Sequence, residues 1–403
     1  MQIDDKSTEG LAEAERCFQE KKYDTCFLHL KSYWLENFND VQAVQLFSQL
    51  MQALEHKDLS QSFAKLCTDT GVTDDPKLLF ETGYRLIDTR QYELATLLLK
   101  RCTEIVPDDP ALNYELGFVL MLQKKFSEAI PFLEKSFAHE MTFDTALNLC
   151  ACFALCRRIN DARGLLLRMS KLTETDEERA AVIEQENTLK RLEHFAGQAD
   201  LDARDWMYAL YGSVLLETDD KQGLQEYEDI ARTLLLLKNF VGAGEMFTAI
   251  EYFNMKARPL AECLAKMLGV GVQSYKGPGQ AGRVLTVIAN GDDIIGPHRS
   301  FLTNADERAL FVYSLGVEPL PLVMELTGRL ADAPLPWDNE AGLTEFKANG
   351  EKLSQIALRL ENEDIKAEAV KLTAYYQKKN ALLLWRNAKT YPQRPQYTAE
   401  IPS

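Results

Sequence analysis

Residues 76–109 read PKLLFETGYRLIDTRQYELATLLLKRCTEIVPDD and residues 110–143 read PALNYELGFVLMLQKKFSEAIPFLEKSFAHEMTF, one 34-residue pattern written twice. With Pro76 and Pro110 at position 1, position 8 holds Gly83 and Gly117, and position 17 holds Tyr92 and Phe126. Position 20 holds Ala95 and Ala129, position 24 holds Leu99 and Leu133, and Pro107 closes the first copy. A small residue at position 8 facing a small residue at position 20 lets two antiparallel helices approach closely, while the large residues at 17 and 24 fill the space beside them. The pattern therefore predicts a helix-turn-helix unit that buries its apolar face by stacking on its neighbours.

In spacing, small positions and aromatic positions together, the stretch resembles the tetratricopeptide repeat (TPR) family. The tryptophan often found at position 4 of that family is replaced by Leu79 and Asn113, so these are divergent copies. A weaker copy begins near Ser7, with Ala14, Tyr23, Cys26 and Leu30 at positions 8, 17, 20 and 24. Another begins near Val41, with Ser48, Lys57, Ser60 and Ala64 there and one extra residue before Pro76. A fifth begins at Asp144 with Ala151 as its first small residue, then loses one residue so that Ala162 becomes the second. Five helical pairs are expected over residues 7–172, followed over residues 174–195 by a charged amphipathic capping helix with Ala180, Ile183, Leu189 and Leu192 on its apolar side.

The family resemblance implies a concave surface lined by the first helix of each repeat, where partner peptides bind. Carried over position by position, that surface is Phe80, Tyr84 and Ile87, then Tyr114, Phe118 and Met121, then Asn148, Cys152 and Leu155. Family members that grip a peptide carboxylate place lysine, arginine and asparagine at such positions. The residues here are mostly aromatic and aliphatic, which implies an apolar helix or strand as the occupant. Two occupants remain open: a partner protein, or this chain's own C-terminal segment carrying Leu382, Leu383, Leu384 and Trp385.

After GQADLDARD the pattern changes. Met207–Leu216 reads as a strand or hairpin arm, residues 225–240 as a helix, and residues 246–253 (MFTAIEYF) as a strand by alternation. A helix over 257–268 follows, then apolar strands at 270–275, 283–289 and 309–315. This alternation predicts an α/β domain with a mostly parallel sheet over residues 200–338. Two further helices are expected over 341–390 and a loose tail over 391–403. The fold class is thus multidomain, a TPR-like α-solenoid over residues 1–195 followed by a small α/β domain and C-terminal helices.

The segment TAIEYFNMKARPLAECLAKMLGV resembles the early strand, loop and helix of type I phosphoribosyltransferases, with Arg258, Pro259, Leu260 and Ala261 opening the helix. In that family a later strand ends in two acidic residues that hold ribose hydroxyls, followed by a Thr-Gly turn that cradles a phosphate. Here RVLTVIANGDDI has Ala289 and Asn290 at those places, Asp292 and Asp293 come a few residues later, and no Thr-Gly turn follows. The resemblance then implies a degenerate, non-catalytic relative. Asp292, Asp293, His298 and Arg299 still form a polar cluster beyond a strand end, where open α/β sheets bind ligands, and they stand as an alternative phosphate or nucleotide site beside a plain surface loop. GPGQAG at residues 277–282 has the letters of a dinucleotide fingerprint but precedes a strand instead of opening a helix, and Pro278 removes an amide, so a turn is expected.

Composition narrows the classes further. A net charge of −16 disfavours nucleic acid and anionic membrane surfaces. The polar, acidic start MQIDDKSTEG and the lack of long apolar runs lead to an expected cytoplasmic location. The eight cysteines are expected as reduced thiols, with Cys150, Cys152 and Cys156 as small packing residues, since only Cys152 and Cys156 share a helical face. The histidines lie far apart in sequence, and no metal or cofactor is expected. No GxSxG, HExxH or SxxK motif is present, so the expectation is an interaction scaffold with a protein partner, and an enzyme only as the alternative.

Overall fold

The computed structural model describes residues 5–69, 71–218, 223–242, 247–277, 283–294, 308–316, 324–331, 333–339 and 343–377. The chain forms two compact units, Met1–Leu165 and Leu166–Ser403.

The helices up to α10 form an α-solenoid of five antiparallel helical hairpins, the boundary at Leu165 falling inside the last helix: α1 (Asp5–Gln19) with α2 (Tyr23–Glu36), α3 (Val41–Ala53) with α4 (Lys57–Leu66), α5 (Pro76–Asp88) with α6 (Tyr92–Ile105), α7 (Pro110–Leu122) with α8 (Phe126–His139), and α9 (Phe143–Leu155) with α10 (Ile159–Met169). Pro76 and Pro110 sit in the first turn of their helices, where a missing N–H costs nothing, and Asp75 and Asp109 cap them by accepting from Lys77 N and Leu112 N. Each hairpin turns on a left-handed residue: Lys21, Glu55, Arg90, Lys124 and Arg157, with φ between 59° and 66°. Their intervals of 34, 35, 34 and 33 residues reproduce the gain and the loss of one residue expected from the small positions. At every turn two backbone bonds close a Schellman motif, as where His56 N donates to Met51 O at 2.9 Å and Glu55 N to Gln52 O at 3.2 Å.

The small positions work as contacts. A Cβ added at Gly83 would lie 3.1 Å from Leu99 Cγ, and one at Gly117 would lie 2.6 Å from Leu133 Cγ. In the second hairpin, Ser48 and Ser60 meet instead, each hydroxyl donating to the other's carbonyl at 2.9 and 2.8 Å. That exchange satisfies two polar groups in a close helix crossing. Trp34, Phe47 and Phe63 fill the adjoining core with ring centroids 5.0–5.7 Å apart. The extra residue before Pro76 belongs to a short antiparallel ladder of β1 (Cys67–Thr68) and β2 (Gly71–Val72).

After the end of α10 the second unit continues with α11 (Asp176–Glu193), capped by the reciprocal Thr175–Glu178 box, and α12 (Ala203–Tyr211), capped likewise by Asp202 and Asp205. The expected strand over Met207–Leu216 is corrected here: the helix runs to Tyr211, Gly212 ends it at φ 61°, and only Val214–Leu215 (β3) is strand. Trp206 through Tyr211 are all buried, so this part of the helix reads in sequence as one continuous apolar run. Arg191 of α11 satisfies its last carbonyls, donating to Ala209 O at 2.8 Å and Leu210 O at 3.0 Å.

Then follow α13 (Tyr227–Val241), β4 (Ala249–Tyr252), α14 (Arg258–Leu268), β5 (Gly271–Ser274), β6 (Val284–Asn290), β7 (Arg308–Ser314) and β8 (Leu326–Arg329). The six strands β3 to β8 form one sheet in the order β3-β8-β7-β6-β4-β5, every described pairing parallel. Helix α14 packs against β4, β5 and β6, and α13 against β8. Two closing helices, α15 (Leu343–Leu360) and α16 (Glu363–Gln377), pack on α13, and α15 also on α14. Strand β8 is not announced by the sequence pattern, because Glu325, Thr327, Gly328 and Arg329 read as polar loop. All four are buried: Glu325 accepts from Leu310 N at 2.8 Å, and Arg329 pairs with Glu217 and Gln225. A second buried pair, Arg308 with Glu251 at 3.1 Å, joins β7 to β4 beneath Thr286, which donates to the same carboxylate.

Candidate functional sites

The first helix of each repeat carries the groove positions, and the i, i+4 spacing within each helix stacks their rings. Phe80 and Tyr84 on α5 stack with centroids 6.3 Å apart, and Tyr114 and Phe118 on α7 stack at 6.1 Å with planes only 4° apart. Tyr84 is 47% exposed, while Phe80, Ile87, Tyr114 and Phe118 are half-buried. Met121, Asn148, Cys152 and Leu155 are buried. Asn148 Nδ2 donates to Tyr114 Oη at 3.2 Å, linking two groove positions one repeat apart. The apolar surface offered at these positions therefore comes from the third and fourth hairpins.

Glu115, next to Tyr114, is a residue of this surface that repeat spacing does not single out. Burial, followed by the nearby Asp88 carboxylate, pushes its pKa up to about 7, and burial also lifts the Tyr114 phenol to about 12. A carboxyl with that pKa is about half protonated at neutral pH, so this surface loses much of its charge without losing its hydrogen-bonding group. Further along, burial raises the Cys150 thiol to about 12, and its Sγ lies 3.7 Å from Ala162 O across the closing hairpin.

In the second unit, Asp292 and Asp293 sit in a 3-10 turn that directly follows β6. Asn290 organises the turn: its side chain accepts from Asp292 N at 3.1 Å, and its own N–H donates to Asp293 at 3.3 Å. Lys256, on the loop between β4 and α14, comes within 4.0 Å of Asp293. Trp337 Nε1 fixes that loop by donating to Lys256 O at 2.8 Å. The order β5-β4-β6 places β5 and β6 on opposite sides of β4, so the loops after β4 and β6 flank a reversal in strand order, where open α/β sheets form a crevice. His298 and Arg299 lie outside the described residues, as do residues 278–282 of GPGQAG and the segment carrying Leu382 to Trp385. Among the described residues no helix is long and apolar enough to cross a membrane.

No family model matches the sequence, and no curated protein does. Among solved structures, a Pseudomonas aeruginosa PilF structure is similar, at 15% identity over 48% of this chain and 94% of that one, TM-score 0.27. TTC0263, described as a thermophilic TPR protein of Thermus thermophilus, is similar at 16% identity over 44% of this chain and 98% of its own, TM-score 0.27. A MamA structure from Desulfovibrio magneticus RS-1 is similar at 16% identity over 42% and 97%, TM-score 0.26.

Proposed function

We propose that this chain is a protein-interaction scaffold whose repeat unit binds an apolar segment of a partner protein at Phe80, Tyr84, Ile87, Tyr114 and Phe118. The observation that carries this reading is the pair of stacked aromatic dyads, with Tyr84 about half exposed. Rigid aromatic rings lose little entropy on binding and dominate the energetics of many interfaces. None of the nine groove positions holds lysine or arginine, so a carboxylate grip has no cation to use. Affinity capture from cell lysate with wild type and a Tyr84→Ala/Phe118→Ala variant tests it, with circular dichroism as the control for folding. Loss of the captured partners is expected; the same partners in the same amounts would sink groove binding.

A second reading, a phosphate- or nucleotide-binding site at the strand ends, rests on the Asp293–Lys256 juxtaposition at the reversal of strand order. Asp292, Asp293 and the following His298 and Arg299 would be its residues. A thermal-shift screen with nucleotides, phosphoribosyl diphosphate and Mg²⁺ discriminates. A rise in Tm supports ligand binding, and no shift at millimolar ligand excludes it.

A further inference from the structure

The first hairpin brings together three side chains of metal-ligating chemistry, one buried and two partly exposed. Glu13 and Cys17 lie at i and i+4 on one face of α1, and His29 meets them from α2, with one ligand atom from each within 4.8 Å of the others. We propose that Glu13, Cys17 and His29 bind a Zn²⁺ ion, leaving a fourth position to water.

The donor set selects the ion. A thiolate beside an imidazole and a carboxylate suits borderline Zn²⁺, whereas Ca²⁺ and Mg²⁺ prefer oxygen alone. Around tetrahedral zinc, with bonds of about 2.0–2.3 Å, ligand atoms lie roughly 3.5 Å apart. The three atoms thus need to close by about an ångström, which rotations of the partly exposed Glu13 and His29 supply. Cys17 is buried at the floor, so the ion would enter from the Glu13 and His29 side. Arg16 now donates to Glu13 at 2.5 Å, but from an exposed position where such pairs are weak and yield to a divalent cation. On binding, the Cys17 S–H bond breaks, an S–Zn bond forms and the proton leaves to solvent; no electron is transferred. The ion would clip α1 to α2.

The test uses the full chain, reduced, free of tags and stripped by chelator, titrated with Zn²⁺ alone and separately with Co²⁺. The expected result is one ion per chain at micromolar concentration, with tetrahedral cobalt bands and a thiolate charge-transfer band that disappears in Cys17→Ser. Cys17 is in the core, so the decisive variants are His29→Gln and Glu13→Gln, each expected to weaken Zn²⁺ binding by about ten-fold or more. Cys26→Ala, a small buried neighbour on α2, is expected to bind as wild type does. Affinity unchanged in His29→Gln, a cobalt spectrum without the thiolate band, or no saturable binding overturns the proposal.

Discussion

Gly83 and Gly117 occupy the same position of successive repeats, yet the contacts they make differ enough to separate their roles. Replacing helical glycine by alanine gains about 1 kcal/mol of propensity. At Gly117 the new methyl would sit 2.6 Å from buried Leu133, which cannot withdraw without opening the core, and overpacking of that kind costs about 1–3 kcal/mol. At Gly83 the contact is 3.1 Å, and a small shift of Leu99 relieves it. Gly117→Ala is thus expected to destabilise by up to about 2 kcal/mol in chemical denaturation and Gly83→Ala to be near neutral or slightly stabilising; equal effects would refute the close-contact account. Glu115 gives a pH-dependent counterpart. Its folded pKa of about 7 lies above the unfolded value, so the native state holds more protons than the unfolded state between about pH 4.5 and 7. Stability from this residue is therefore fully present below that window and lost as pH rises through it. With partial solvent screening allowed for, Glu115→Gln should be more stable than wild type by about 1 kcal/mol at pH 8, with no gap near pH 4.5. Denaturant midpoints at the two pH values check this. The sequence exposed both glycines through their spacing, but it could not expose Glu115, because a pKa depends on what covers a group. The trio of Glu13, Cys17 and His29 was equally hidden, since eleven residues and a turn separate the cysteine from the histidine.

Among elements, the hairpin turns were the most legible, and their geometry shows why. Each needs one left-handed residue just past the end of its first helix, and the Schellman bonds fix it whatever the side chain. The repeat therefore survives with Lys, Glu and Arg in a backbone region that favours glycine. Glu55 is the least suited: it has φ 66°, is exposed, and sets a negative charge at a helix C-terminus, where the dipole disfavours one. Glu55→Gly is expected to stabilise by about 0.5–1 kcal/mol, and Glu55→Val to destabilise, because a β-branched side chain is strained at positive φ. Denaturation midpoints that rank the two the other way would contradict the left-handed turn. Elements in the second unit were harder to read because their burial is two-sided. The run Trp206 to Tyr211 of α12 is buried throughout and so imitates a strand, whereas β8 hides its strand character behind Glu325, which accepts from Leu310 N, and Arg329, which pairs with Glu217. Alternation marked β4, and continuous apolar runs marked β6 and β7, which are buried almost throughout.

At the scale of the molecule, the two C-terminal helices belong to the folding of the sheet. Tyr376 on α16 is fully buried, and its hydroxyl accepts a hydrogen bond from Leu215 N of β3 at 2.8 Å. Tyr375 beside it donates to Asp205, the residue that closes the capping box of α12. One helix turn near residue 376 thus holds both the edge strand and the N-terminus of the helix preceding it, across 161 and 170 residues of sequence. Such contacts have no local signature, which is why the sequence set residues 341–390 apart. Tyr376→Phe keeps the shape while leaving the Leu215 amide buried without an acceptor and removing the weaker donation from the hydroxyl to Leu215 O at 3.4 Å. The expected loss is about 1–3 kcal/mol, seen as faster hydrogen exchange at Leu215 and neighbouring β3 amides. Truncation after residue 342 removes α15 and α16 and strips cover from α13 and α14, and is expected to abolish the native near-ultraviolet signal of this unit. A truncated chain that kept native exchange protection along β6 and β7 would show that the sheet folds without these helices and that their role lies elsewhere.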